Sequence, residues 1–484
     1  MEMAIIDGSS DGSSTVAREW VMPHLSAEEH AARGKAERAE IPRAAHANWE
    51  ARPNRPDPIA LLEEQSKTRV PELVPIRHGR MLVSPFTFYR GAAYVMASDL
   101  AATTRSGLRV QLCGDAHLSN FGVFGSPERR MMFDINDFDE TLPGPWDWDV
   151  KRLAASMELA GRDNGFSKSA RSDIVLSTVR EYREAMRKFA TLGNLDVWYA
   201  SLDIEHVFEQ FGSRVGHKRL KVTEHNIAKA RTKDSIHAYE DLTHKVGGRR
   251  RIISDPPLIV PMEEFVKGAD REQLEQQVRE ILRGYRATLQ PDRRHLLEGY
   301  DFTDMAHKVV GVGSVGARAW ILLFLGRDDQ DPLLLQAKEA QPSVLEPFLG
   351  KSEYRNSGQR VVEGQRLMQA ASDIFLGWQR VKGVDGIERD FYVRQLRDWK
   401  FSVDIAALDK VVLTTYGSLC GWTLARAHAR SGDRIAIASY LGKADTFDEA
   451  IAAFAIAYAD QTERDHQALL TAVKNGRIQA ETAL

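Results

Sequence analysis

Glycines at 311, 313 and 316, followed by an apolar run, a polar break and a second apolar run ending in Lys338, restrict the fold of this chain more than any other segment. A G-x-G-x-x-G spacing sits against phosphates in two ways: as a turn before a helix whose N-terminus faces a pyrophosphate, or as the tip of a β-hairpin laid over them. The residues after Gly316 separate the two. Positions 317–326 are mostly apolar, 327–332 form a polar stretch with Asp328, Asp329 and Pro332, and Leu333, Leu334 and Leu335 lead into Lys338. That pattern reads strand, turn, strand. The hairpin is therefore expected, with Gly311, Gly313, Ser314 and Gly316 at its phosphate-covering end and Lys338 reaching the phosphates from the second strand.

Asn356 or Ser357 can cap a helix expected over 359–375, a stretch rich in helix formers and bounded by Gly377. Glu363 lies inside it and is the expected carboxylate partner of Lys338. Glu346 is followed by Pro347, and Glu353 sits in loop-like composition, which counts against both. Residues 391–396 read as a strand running into a hinge, where the backbone at Gln395 and Leu396 is expected to meet an adenine edge. A further helix is expected over 416–429.

The chemistry is concentrated upstream, in 113–120 and 133–139. Phosphoryl transfer needs a carboxylate to accept the proton of the attacking hydroxyl, and an amide and a second carboxylate to hold magnesium against the phosphates. Asp115, Asn120 five residues on and Asp137 at the end of an apolar run supply those parts, with Asp139 beside them as a further candidate ligand. Each taken alone also reads as an ordinary turn residue, because Gly, Asp and Asn dominate loops; their joint spacing is what points to chemistry. His117 either orients Asp115 or the substrate, or is a satisfied buried histidine. Arg90, set among Phe86, Phe88 and Tyr89, is a candidate for planar contact with phosphate or substrate, or else a cation stacked on aromatic packing. Asp147 and Asp149, in the segment 145–150, are expected to brace helix ends and the loop around Asp115.

These motifs resemble those of a bacterial family known only as a domain of unknown function, itself similar to the aminoglycoside phosphotransferase branch of the protein-kinase-like superfamily. The family likeness runs from about Asp57 to Lys474, with 77–79, 88–91 and 360–369 as further matching stretches. The resemblance implies Asp115 as catalytic base, Asn120 and Asp137 as magnesium ligands, Lys338 paired with Glu363 on the phosphates of ATP, and the three glycines as the covering loop. In such kinases the glycine hairpin, lysine, helix glutamate and hinge precede the catalytic loop; here they follow it. The implied fold is α+β, a two-lobed protein-kinase-like architecture in circularly permuted order. Its parts would be a disordered start and helical arm (1–75), a large-lobe segment with the catalytic loop (76–299), a small nucleotide-binding lobe (300–400) and helices completing the large lobe (401–484). Permutation is tolerated where the original termini lie together on the surface.

A formal charge of −3 over 484 residues demands no polyanionic partner, and the short basic runs at 249–251 and 293–294 read as solvated faces, so nucleic acid is not expected. Two cysteines, Cys113 and Cys420, leave no disulfide framework and no zinc set. With no leader pattern in 1–15 and no apolar stretch of spanning length, the expected setting is the cytoplasm, without membrane contact. The expected function is an ATP- and Mg2+-dependent transfer to a hydroxyl of a small molecule. Transfer of a nucleotidyl group and a kinase-shaped regulator with little turnover are the alternatives.

Overall fold

The computed structural model describes residues 25–205, 207, 235–265, 271–309, 315–383, 386–396, 399 and 403–481. Its largest sheet has six antiparallel strands: β7 (Ile259–Pro261), β8 (Asp301–Lys308), β9 (Ala319–Leu325), β10 (Pro332–Ala340), β11 (Gly377–Lys382) and β12 (Glu388–Gln395), in the order β11-β12-β10-β9-β8-β7. The hairpin after Gly316 is present, with Pro332 opposite Leu325 and Lys338 opposite Ala319. On its other edge β10 pairs with β12, and Lys338 stands across from Tyr392.

Side chains alternate across this sheet as the period of two requires. Leu333, Leu335, Leu322 and Phe324 pack with Tyr285 and Leu289 on one face. On the other, Leu334, Ile321 and Leu323 meet Ala238, Tyr239 and Leu242 from the helix Ser235–Leu242. The sheet takes in Ile259–Pro261, well before residue 300, because β7 pairs with β8.

The helix α3 (Ser357–Met368) lies between β10 and β11 in the chain and is capped by Asn356, whose side chain accepts from the Gln359 amide at 3.0 Å. It stops at Met368, short of the expected end at 375. Gln369 leaves the helix in an extended conformation, its side-chain amide donating to the Ile135 carbonyl at 2.6 Å, and Gly377 opens β11 instead of closing the helix.

Two short ribbons carry the segment rich in chemistry: β1 (Arg109–Leu112) with β4 (Leu142–Pro145), and β2 (Phe121–Gly125) with β3 (Met131–Ile135). A third, β5 (Thr243–Val246) with β6 (Arg249–Ile252), lies against β8, where the Ile252 amide donates to Asp304 at 2.9 Å. Beneath the first two pack α1 (Trp146–Asp163), α2 (Lys168–Phe189), α4 (Lys410–Ser431) and α5 (Thr446–Lys474). Trp146, Leu153, Val179, Leu424, Ile451 and Phe454 belong to one buried core, which also receives Val361 and Tyr392 from the side of the large sheet. The N-terminal segment is tied to this body by Arg55, which reaches Asp99 at 2.7 Å and Asp465 at 2.6 Å. Among the described residues no helix is long and apolar enough to cross a membrane.

His46 is buried in this core with Nε2 at 2.7 Å from the Tyr440 hydroxyl. Burial and then the Lys151 ammonium push its pKa down to about 4, against the opposing pull of Asp147. The folded value lies below the unfolded one, so the neutral imidazole's contribution is complete above the ordinary histidine pKa and is lost as pH falls through the interval down to about 4. Replacing His46 by glutamine, which keeps a partner for Tyr440 and does not titrate, is expected to remove about 2 kcal/mol of the stability lost between neutral pH and pH ~5. Urea unfolding at the two pH values measures this; an unchanged pH dependence would refute it.

Candidate active site

Asp115 follows Gly114, whose φ of +84° is left-handed and whose added Cβ would lie 2.3 Å from the Glu140 carbonyl oxygen. Only glycine allows that turn. Asp149, from the first turn of α1, accepts from the Cys113 amide at 2.8 Å and the Gly114 amide at 3.1 Å, and lies 3.3 Å from His428 Nε2 on α4. The Ser156 hydroxyl accepts from Leu118 at 3.0 Å, and Tyr416 donates to the carbonyls of Leu118 and Phe121 at 2.8 and 3.0 Å. The loop carrying Asp115 is thus held from both sides by helix side chains, as the acids of 145–150 lead one to expect for Asp149. Asp147 instead pairs with Lys151 at 3.0 Å, inside the core.

The Asp115 carboxylate takes a 2.6 Å hydrogen bond from Arg152 Nε, while His117 Nε2 lies 3.7 Å away. Burial holds Asp115 above the ordinary carboxylate range despite Arg152 and Arg90. His117 is buried, and burial together with Arg90 and Arg152 keeps its imidazole neutral. The cation over the aromatic of this region is Arg152, 4.1 Å above the Tyr89 ring, and not Arg90. Arg152 gave no signal in the sequence beyond its place one turn after Asp149.

Asn120 donates to the Asp115 carbonyl at 2.8 Å and, through its own carbonyl, receives the Asn136 amide at 2.8 Å, so the two chemistry-bearing loops are stitched together. Asp137 accepts from the Asp139 amide at 3.1 Å. Burial and the neighbouring Asp139 carboxylate push Asp137 up. Asp139 goes the other way: burial opposes its charge, but the Lys338 ammonium and the Tyr392 hydroxyl, donating at 2.8 Å, outweigh it and bring its pKa down. Lys338 is buried, ion-paired with Asp139, and its pKa is raised because Asp139, Tyr392 and Asp137 overcome the cost of burial.

Glu363, expected as the partner of Lys338, is not so placed. It pairs with Arg366 at 3.0 Å on an outer flank of α3. The helix presents Arg360 inward instead, donating to the carbonyls of Thr141, Asp139 and Gln341 at 2.7 to 2.8 Å. Gly364 lets α3 come this close, since a Cβ there would lie 2.5 Å from the Thr141 side chain. The hinge expectation is corrected in the same way. The Gln395 amide donates to Asp373 and the Leu396 amide donates to the Leu334 carbonyl at 2.9 Å, so neither N–H is open to an adenine. The ladder between β10 and β12 simply continues one residue past the strand. Gly316 has φ +88° and its carbonyl accepts from Val70 at 2.8 Å, whereas Gly311, Gly313 and Ser314 lie outside the described residues.

Arg90, Asp115, His117, Asn120, Asp137 and Asp139 all line one cleft of about 680 Å³, closed on its far side by 339–344 from the end of β10 and the loop after it. The same cleft takes in Arg69 and Gln65 from the N-terminal arm, and Glu140, whose carboxylate accepts from the Val344 amide at 2.7 Å and is pushed up to about 7 by burial. Sequence reading missed Arg69 and Glu140 as wall residues. Over residues 69–472 the chain matches the model of an uncharacterized protein family conserved in bacteria, DUF2252. The chain belongs to this family. The match covers the arm from Arg69 onward and every residue of the cleft that carries a candidate role. Comparison with curated proteins and with solved structures returns no match.

Proposed function

We propose that this DUF2252 chain is an ATP- and magnesium-dependent phosphotransferase acting on a hydroxyl of a small molecule, built as a permuted two-lobed kinase-like fold. The observation that carries the reading is the convergence of Asp115, Asn120, Asp137 and Asp139 on one cleft, with the buried Lys338 of the large sheet ion-paired to Asp139 in its wall. The sheet order supports it: a hairpin, the lysine strand, a helix, then two strands of which the second lies beside the lysine strand.

In this reading Asp115 draws the proton from the attacking hydroxyl, and Arg152 fixes the carboxylate's orientation. Lys338 gives its charge to the phosphates, and Asp137 with Asn120 would hold magnesium. Among the described residues no three His, Cys, Asp or Glu side chains converge as a metal-binding set. Magnesium in phosphotransferases needs only one or two carboxylates, the remainder coming from substrate phosphates and water. Asp137, which lines the cleft and is raised by burial and by Asp139 against the pull of Lys338 and Arg394, fits such an ion. Bound there, the metal would neutralise charge developing on the transferred group.

A nucleotide-binding regulator with little turnover, using the same cleft, is the alternative. The two are separated by adding Mg·ATP to the wild type and to Asp137→Ala. Ligand at a hundredfold its Kd stabilises by about 2.7 kcal/mol, so a clear rise in Tm is expected for the wild type and its loss in the variant. Labelled ATP with a metabolite extract then reports transfer. A magnesium-dependent shift without labelled product supports the regulator, and a shift indifferent to magnesium and to Asp137 defeats both.

A further inference from the structure

Most carboxylates of the cleft are matched by partners in its own walls. Asp115 has Arg152, Asp139 has Lys338, Glu339 lies 3.2 Å from Arg318, Glu140 holds the Val344 amide, and Glu346 accepts from the Ser343 amide at 3.2 Å. The arginines at the end under the N-terminal arm are not so matched. Arg69 donates through Nη1 to the Val315 carbonyl, and its buried Nε has no hydrogen-bond partner. Buried Nε of Arg90 has none either. Arg77 is fully buried behind this wall; Nη2 donates to Gln65 Oε1 and the Gly91 carbonyl, both at 2.7 Å, while Nε and Nη1 are left without partners. Gln65 and Gly91 are themselves cleft residues.

Among the described residues, then, three guanidinium groups lie about the junction of the helix Pro85–Gly91 with the arm: no carboxylate acts on Arg77, and those that act on the other two, Asp115 on Arg90 and Glu140, Asp139 and Glu339 on Arg69, are not hydrogen-bonded to them. A guanidinium keeps its proton when buried, and a buried charged donor left without an acceptor is strongly unfavourable. The need is for an oxyanion.

We propose that this end of the cleft is an anion subsite, and that the acceptor is a hydroxylated small molecule carrying a phosphate or carboxylate group. Arg90 and Arg69 grip the oxyanion with planar, charge-assisted hydrogen bonds, Arg77 adds its charge from behind the wall, and the acceptor's hydroxyl is thereby presented to Asp115. The naming of the bound molecule as an acceptor rests on the phosphotransferase reading; the anion subsite itself does not.

The test titrates inorganic phosphate and, separately, malonate into the full chain with Mg·AMP-PNP present, so that the place of the terminal phosphate is filled, and follows Tm against sodium chloride of matched ionic strength. A saturable rise is expected with at least one of the two, and the stronger arm tells phosphate from carboxylate. In Arg90→Gln and in Arg69→Gln the apparent affinity is expected to fall by about tenfold or more, the loss of a charge-assisted bond. Absence of any saturable rise, or a rise of equal affinity in both variants, overturns the proposal. If Mg·AMP-PNP itself gives no shift, the kinase reading has failed, and the same titration on the nucleotide-free chain still decides the subsite.

Discussion

Under the proposed phosphotransferase reading, replacing Asp115 by asparagine is expected to lower the rate of transfer by about 10²–10⁴-fold, the range over which a positioned general base contributes. Asparagine matches aspartate in size and still offers an oxygen to Arg152, whose Nε sits 2.6 Å from the carboxylate and whose guanidinium carbon lies 4.1 Å from the centre of the Tyr89 ring. The loop therefore keeps its geometry, because its hold on the body comes from Asp149, Ser156 and Tyr416 and not from Asp115. What is lost is the proton acceptor. Burial holds the native carboxyl above its ordinary range, which makes it a better acceptor than a solvated aspartate. Labelled-ATP transfer is the measurement, with the Mg·ATP shift as the check on folding. Full transfer by a variant that still binds Mg·ATP would remove Asp115 from the role of base.

The largest expected loss of stability is at Arg426. Its side chain on α4 is buried, ion-paired with Asp134 of β3, and donates to the Met368 carbonyl at the end of α3 at 2.6 Å. Asp134 in turn accepts from the Ala370 amide at 2.9 Å. One ion pair thus joins the helical body, the strand that leads to Asp137 and the end of the helix beside the large sheet. Arg426→Met leaves the buried Asp134 carboxylate without its ion-pair partner, and breaking such a pair costs about 3–5 kcal/mol. The double variant with Asp134→Asn is expected to recover part of that loss, since no charge then remains unmatched. Chemical denaturation of the two variants decides it; a single variant within about 0.5 kcal/mol of wild type, the range of ordinary surface changes, would mean that the pair carries no weight.

Much of the candidate site was legible because its signals are local. The hairpin of β9 and β10 follows from apolar alternation broken by a polar turn, and Asp115, Asn120 and Asp137 stand out by spacing alone. The partner of Lys338 was not legible. Glu363 lies on the expected helix, but which side of α3 faces the lysine depends on how the helix is rotated, and Gly364 against Thr141 with Arg360 among three carbonyls turns Glu363 outward. The hinge failed for a related reason: whether Gln395 and Leu396 offer free N–H groups depends on Asp373 and Leu334, neither of which their own segment reveals.

The sequence by itself determined the strands of the hairpin, the helices of the body and the residue types able to handle a phosphate, since turn chemistry and hydrophobic period act over a few neighbouring residues. Only the tertiary structure decided which charges meet. Asp139 with Lys338, Arg152 with Asp115, and Asp134 with Arg426 each join segments far apart in the chain, and a buried charge is settled by whatever surrounds it in space, not by what adjoins it along the backbone.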